Sequence, residues 1–213
     1  MKKTFIILAT VATMLVACKN DPKNKEAKTG DATEIKNDSA GQKYTIVASE
    51  SSLNWQAYQT LANGGHKGTI NIAGGELSVN SGNIRGGNFT MDMTSITPTE
   101  MPEPEKQAKL QKHLKSPDFF DVEKYKDAEF TIAEVVKGNG DSATIKGNLK
   151  IKDMTNMIEF PAIIKMEDGK ITATASFSID RKKWKLNYMS EKSFGDKIIK
   201  DMIDIDFNIV VKK

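Results

Sequence analysis

The side chains able to do chemistry are few. Cys18 is the only thiol in the 213 residues, and it closes the run Leu15-Val16-Ala17-Cys18. A thiol after small residues at the end of an apolar stretch is an acceptor for lipid alkylation. There are two imidazoles, His66 and His113. A catalytic metal site commonly takes three protein ligands, and no His-x-x-x-His or cysteine cluster supplies them, so neither a metal nor a cofactor is expected. His113, near the end of a helical stretch, reads as a cap or packing residue. His66 follows Gly64-Gly65 and has two readings, a surface histidine or a contact for the head of an amphiphile. The one basic cluster is Arg181-Lys182-Lys183-Trp184-Lys185. The planar fork of Arg181 suits phosphate oxygens, as in a pyrophosphate head; the other reading is a solvated turn with an aromatic plug. Asp204 and Asp206 lie two apart on a strand, on its wet face, where they serve solubility better than acid–base work. A nucleophile elbow, a phosphate loop and a dinucleotide fingerprint are all missing. Catalysis is not expected.

The first residues address the chain. Met1-Lys2-Lys3 is a positive start, and residues 5–16 form an apolar run too short to span a bilayer, which takes ~20 residues. Ending in a Leu-x-Ala-Cys box, it has the form of a bacterial lipoprotein signal. Residues 1–17 are thus expected to be removed, with Cys18 acylated and holding the protein to a membrane of the cell envelope. Residues 18–42 are polar, with Ile35 their one large aliphatic residue, and read as a flexible tether. Such a tether would hold the domain of residues 43–213 tens of ångströms from the lipid, at ~3.4 Å per residue.

Charge removes another class. The 31 Lys and Arg stand against 28 Asp and Glu, and losing Lys2 and Lys3 leaves 29 against 28. A net +1 is no footprint for nucleic acid, which asks for a clustered basic excess.

Strands must position whatever site there is. Ile171, Ala173, Ala175, Phe177 and Ile179 alternate with Thr172, Thr174, Ser176 and Ser178, and residues 203–211 repeat the pattern. Phe89, Met91 and Met93, and then Ile145, Gly147, Leu149 and Ile151, do the same. Period two means one apolar and one wet face. Turn signals at Asn63-Gly64-Gly65, Gly74-Gly75, Asn80-Ser81-Gly82, Gly138-Asn139-Gly140 and Asp168-Gly169 separate the strands. Residues 103–115, with Leu110 and Leu114 four apart and prolines at the front, read as one inserted helix of about three turns. The fold class is all-β, an antiparallel meander closing as a barrel or packing as a sandwich. Met91, Met93, Met154, Met157, Met166, Met189 and Met202 are deformable enough to line a lipid site or simply to fill a core.

Taken together these stretches resemble the YceI-like family of polyisoprenoid-binding, lipocalin-like envelope proteins, from about Tyr44 to Val211. The resemblance runs through Ser52-Leu53-Asn54-Trp55, His66-Lys67-Gly68-Thr69-Ile70 and the strand from Phe89 to Ile96. Its most specific piece is His113-Leu114-Lys115-Ser116-Pro117-Asp118-Phe119-Phe120-Asp121, followed by Ile179-Asp180-Arg181 and Asp204-Ile205-Asp206-Phe207. Lys126 and Asp153 depart from the family's usual proline and glycine, both at turns. The resemblance implies a lipocalin-like barrel of about eight antiparallel strands whose interior holds a long-chain isoprenoid or related lipid. The expected lining is Trp55, Phe89, Met91, Met93, Phe130, Ile132, Phe160, Phe177, Ile179 and Phe207, with Phe119 and Phe120 closing one end. His66 and Arg181 are the head-group candidates. The alternative is a non-catalytic structural or interaction lipoprotein with a filled barrel.

Overall fold

A computed structural model describes residues 22–35, 41–59, 64–190 and 199–213. The signal segment, Cys18 and Asn63 fall outside them. The elements are β1 (Lys28–Asp31), β2 (Gln42–Ile46), β3 (Ser52–Gln59), β4 (Gly65–Asn80), β5 (Asn83–Pro98), α1 (Pro104–Lys115), β6 (Asp127–Lys137), β7 (Ser142–Ile151), β8 (Met154–Glu167), β9 (Lys170–Asp180) and β10 (Ile199–Lys212).

From β3 onward each strand pairs antiparallel with the next, and β10 returns to β3, so eight strands close a barrel. Closure leaves no long free edge among the described strands from β3 to β10 once β1 fills the gap between β8 and β9. β2 occupies the same lane as β3, bonded like it to β4 and β10, after a 3-10 turn at Ala48–Glu50. The apolar face of each alternating strand turns inward into a core that includes Ile145, Leu149, Ile158, Phe160, Ile171 and Phe177.

Two expectations need correction. Gly74-Gly75 is not a turn between strands. It lies inside the 16-residue β4 at a shift of register against β5, with Gly75 at φ 151°. A Cβ there would stand 2.3 Å from the Asn88 carbonyl oxygen. The pair marks a bulge that bends the strand around the barrel.

The second correction concerns the tether. β8 and β9 bond to each other only from Ile163↔Thr174 to Glu167↔Lys170. Beyond that point the gap between them is occupied by the segment expected to be flexible. β1 pairs β8 from Lys28↔Glu159 to Asp31↔Asn156. On the other side the Ala27 N–H donates to the Ser178 carbonyl at 2.9 Å, and the Ser178 N–H donates to the Lys25 carbonyl at 3.0 Å. The Asn148 amide on β7 grips the Thr33 backbone both ways, at 2.9 and 2.8 Å. The segment has little to bury except Ala27, but an open edge needs main-chain partners rather than apolar side chains.

Helix α1 begins with Pro104 at its first turn, where a missing N–H costs nothing. Gln107 donates to the Pro98 carbonyl at 2.6 Å and Gln111 to the Ile96 carbonyl at 2.9 Å, which pins the helix across the end of β5.

Candidate functional site

The barrel encloses a cavity of about 200 Å³ lined by apolar side chains from all eight strands. A water needs roughly 10–15 Å³ on this scale, so the space exceeds a packing defect by about an order of magnitude. All twelve expected wall residues border it: Trp55, Phe89, Met91, Met93, Phe119, Phe120, Phe130, Ile132, Phe160, Phe177, Ile179 and Phe207. Of the other methionines singled out, Met154, Met157, Met166, Met189 and Met202 do not, and Met166 is 38% exposed. The wall is aromatic and branched aliphatic, with two methionines.

Local structure explains the shape. Phe160 and Phe177 stack with ring centroids 4.2 Å apart and planes at 16°, and Phe207 meets Phe160 edge-on at 5.9 Å. Trp55 lies against Gly68 across the β3–β4 ladder, where any Cβ would stand 2.6 Å from the indole. α1 covers one end through Leu110 and Leu114, and His113 packs edge-on against Phe119 and Tyr188 at 5.1 and 4.7 Å. His113 is therefore part of the cover, with Asp118 3.2 Å from its Nε2.

The polar groups gather at the covered end. His66 borders the cavity, its Nδ1 2.7 Å from Glu100 and its Nε2 3.3 Å from the Gln59 amide nitrogen. Burial works against the charge on Glu100, yet hydrogen bonds from His66, its own backbone and the Lys67 N–H hold its carboxyl below the usual range.

These features coincide with a family pattern. Residues 44–211 match the model of the YceI-like domain.

The chain belongs to the YceI-like family.

Two solved structures share its fold. BcnA of Burkholderia cenocepacia is 16% identical with a TM-score of 0.63, the match covering 78% of this chain and 98% of that one. A polyisoprenoid binding domain from Saccharophagus degradans, implicated in plant cell wall breakdown, is 12% identical with a TM-score of 0.57, covering 79% and 97%. Identities this low carry the fold and nothing finer. No curated protein matches the chain.

In this YceI-like barrel Arg181 borders the cavity but is 1% exposed and committed elsewhere. Its Nη1 donates to the Leu186 and Tyr188 carbonyls, its Nη2 to Ile199 at 3.0 Å and its Nε to Lys200 at 3.3 Å. Burial pulls its pKa below the ordinary value, opposed by Asp201 and Asp180. Both sequence readings of Arg181 therefore need revision: neither a free anion clamp nor a solvated turn, it ties the chain after β9 to the start of β10. The aromatic plug next to it is real, since Trp184 is fully buried and donates to the Leu149 carbonyl at 2.9 Å.

Asp204 also departs from expectation. It alternates with the cavity-lining Ile203 and Ile205 and so points outward, yet it is 2% exposed. The Tyr58 hydroxyl, the Ser178 hydroxyl and the Lys23 N–H all donate to its carboxylate, at 2.6, 2.5 and 2.9 Å. Other lining residues are not among those the sequence assigns to the wall, Leu53, Ile70, Ile199, Ile203 and Ile205 among them. Their signal was present, since Ile203 and Ile205 share the strand face of Phe207.

Proposed function

We propose that this YceI-like protein is a lipid-binding lipoprotein that sequesters or carries a polyisoprenoid, or a similar long-chain amphiphile, inside the barrel. It is held to a membrane of the bacterial envelope by acylation of Cys18, with the barrel in the periplasm or at the cell surface. Binding is partition into a dry bore, with no bond made or broken. The observation that carries this reading is the cavity, apolar along the barrel with its few polar neighbours at the covered end, inside a hydrogen-bonded wall. Burying a chain gains ~0.8 kcal/mol per CH₂, so a long tail binds tightly without a dedicated polar constellation. A solved domain of the same fold is a polyisoprenoid binding domain, the precedent on which this choice of ligand draws.

Native mass spectrometry of the full chain extracted from its own membranes tests this. A mass excess of one long-chain lipid is the expected result. A bare polypeptide mass, with uptake of no added prenyl lipid, would favour a structural lipoprotein, and turnover of an added lipid would make it an enzyme.

A further inference from the structure

We propose that residues 23–31 are a removable strap over a side entrance to the cavity, through which a lipid tail passes between β8 and β9. The proposal rests on the carrier reading above.

Around most of the wall consecutive described strands are joined by their own ladder over the cavity, the other short one being β5–β6, from Gly87↔Ile132 to Asp92↔Asp127. Between β8 and β9 the ladder stops at Ile163↔Thr174, and the strap supplies the missing bonds. The residues facing the cavity on either side of it are Ile158 and Phe160 from β8, and Phe177 and Ile179 from β9. Behind the strap the seam is shut by side chains alone, chiefly the Phe160–Phe177 stack. Rotamer changes part such a pair, whereas a ladder yields only by local unfolding. Without the strap the two edges stand about two strand spacings apart, roughly 10 Å, which is wide enough for a prenyl chain.

The strap is held by its four-residue ladder to β8, by main-chain bonds to Ser178 and by the Asn148 clamp on Thr33, and its remaining fastenings are of a kind that water can replace. Lys23 N–H reaches Asp204 at 2.9 Å, the Asn24 carbonyl lies 3.0 Å from the Ser178 hydroxyl as the alternative acceptor for its proton, and Lys28 pairs with Glu159 at 2.5 Å with 79% of its side chain exposed. Ala27 is the one buried apolar side chain the strap gives up. Elements with so little apolar burial are the ones that open first. Asp204 and Ser178 stay satisfied by solvent when they are uncovered.

Position favours the same role. The strap lies ahead of the family match, which begins at residue 44. Lys23 is five residues after Cys18. With lipid on that thiol, the strap begins within ~17 Å of the bilayer surface, at the source of the tail.

The test uses the full chain with Cys18→Ser, Lys28→Cys and Glu159→Cys, a register pair on the outer face. Uptake of a fluorescent geranylgeraniol ester from phosphatidylglycerol vesicles is timed before and after reduction. The oxidised form is expected to take up probe at least tenfold more slowly than the reduced form, with the same final occupancy. Equal rates would overturn the entrance, because the tail would then enter at a barrel end. Hydrogen exchange on the unsubstituted chain tests the strap without any ligand. The Ala27 amide is expected to exchange at least tenfold faster than that of Phe207, and equal protection would overturn a removable strap. Absence of uptake in both forms, with fast exchange at Ala27, would remove the carrier reading and the entrance with it, leaving only a loose strand.

Discussion

The Tyr58 hydroxyl donates to Asp204 Oδ2 across 2.6 Å, on the outside of the barrel yet sealed from water, because Lys23 and Asn24 reach across the same carboxylate and its Ser178 partner. Three donors converge on one buried acid. Asp204→Ala strips the Tyr58 hydroxyl and the Lys23 N–H of their acceptor, while the Ser178 hydroxyl turns to the Asn24 carbonyl, and should cost about 2–4 kcal/mol in urea unfolding. Tyr58→Phe leaves the acid two donors and should cost about 1–2 kcal/mol. A change below 0.5 kcal/mol for Asp204→Ala would mean that water replaces the network freely.

The same pair sets an alkaline limit. Burial raises the Tyr58 pKa, and the hydrogen bond to Asp204 and its charge raise it further. A raised folded value gives stability that is complete below the ordinary tyrosine pKa of about 10 and lost as pH rises through the folded value. Wild-type stability should fall above pH 10 more steeply than that of Tyr58→Phe. Parallel profiles would contradict this.

Glu100 works in the opposite direction. Its folded pKa is lowered, so its contribution is present above the ordinary carboxylate value of about 4.3 and lost as pH falls through the folded one. Acid unfolding of Glu100→Gln should be shallower below pH 4 than that of wild type, and His66→Ala should bring the two curves together.

Arg181→Lys replaces a fork that reaches four carbonyls with a single point of three donors. A loss of about 2–4 kcal/mol is expected. Binding of prenyl phosphate and of uncharged prenol should weaken equally, as scaffold damage does. Selective loss of the phosphate would restore Arg181 as a head-group ligand.

Phe160→Ala removes the ring that touches Phe177, Phe130 and Phe207. The apo protein should lose about 3–5 kcal/mol. Added geranylgeraniol should raise the Tm of the variant more than that of wild type, because the tail fills the vacated space. Equal shifts would place the tail elsewhere.

Much of this was legible in the residues. Alternation through Phe177 and Ile179, and through Ile203 and Phe207, announced strands whose inner face is the cavity wall, and Pro104 with Leu110 and Leu114 announced the helix. What escaped was whatever the main chain does without a side-chain pattern. Residues 23–31 bind through peptide groups, so their polar composition read as tether. Gly74-Gly75 looks the same in sequence whether it turns the chain or bulges it. Asp204 and Arg181 belong by type on a surface, and only the neighbours brought over them by tertiary structure bury them.

Because β10 pairs with both β9 and β3, the ring is completed by residues 199–212 meeting a strand, β3, made some 150 positions earlier. A chain still being made, with that last segment undelivered, is a curled sheet with two unpaired margins, β3 and β9. Long-range closure of this kind is slow and prone to aggregation. Truncation before residue 199 should yield insoluble material rather than a smaller barrel.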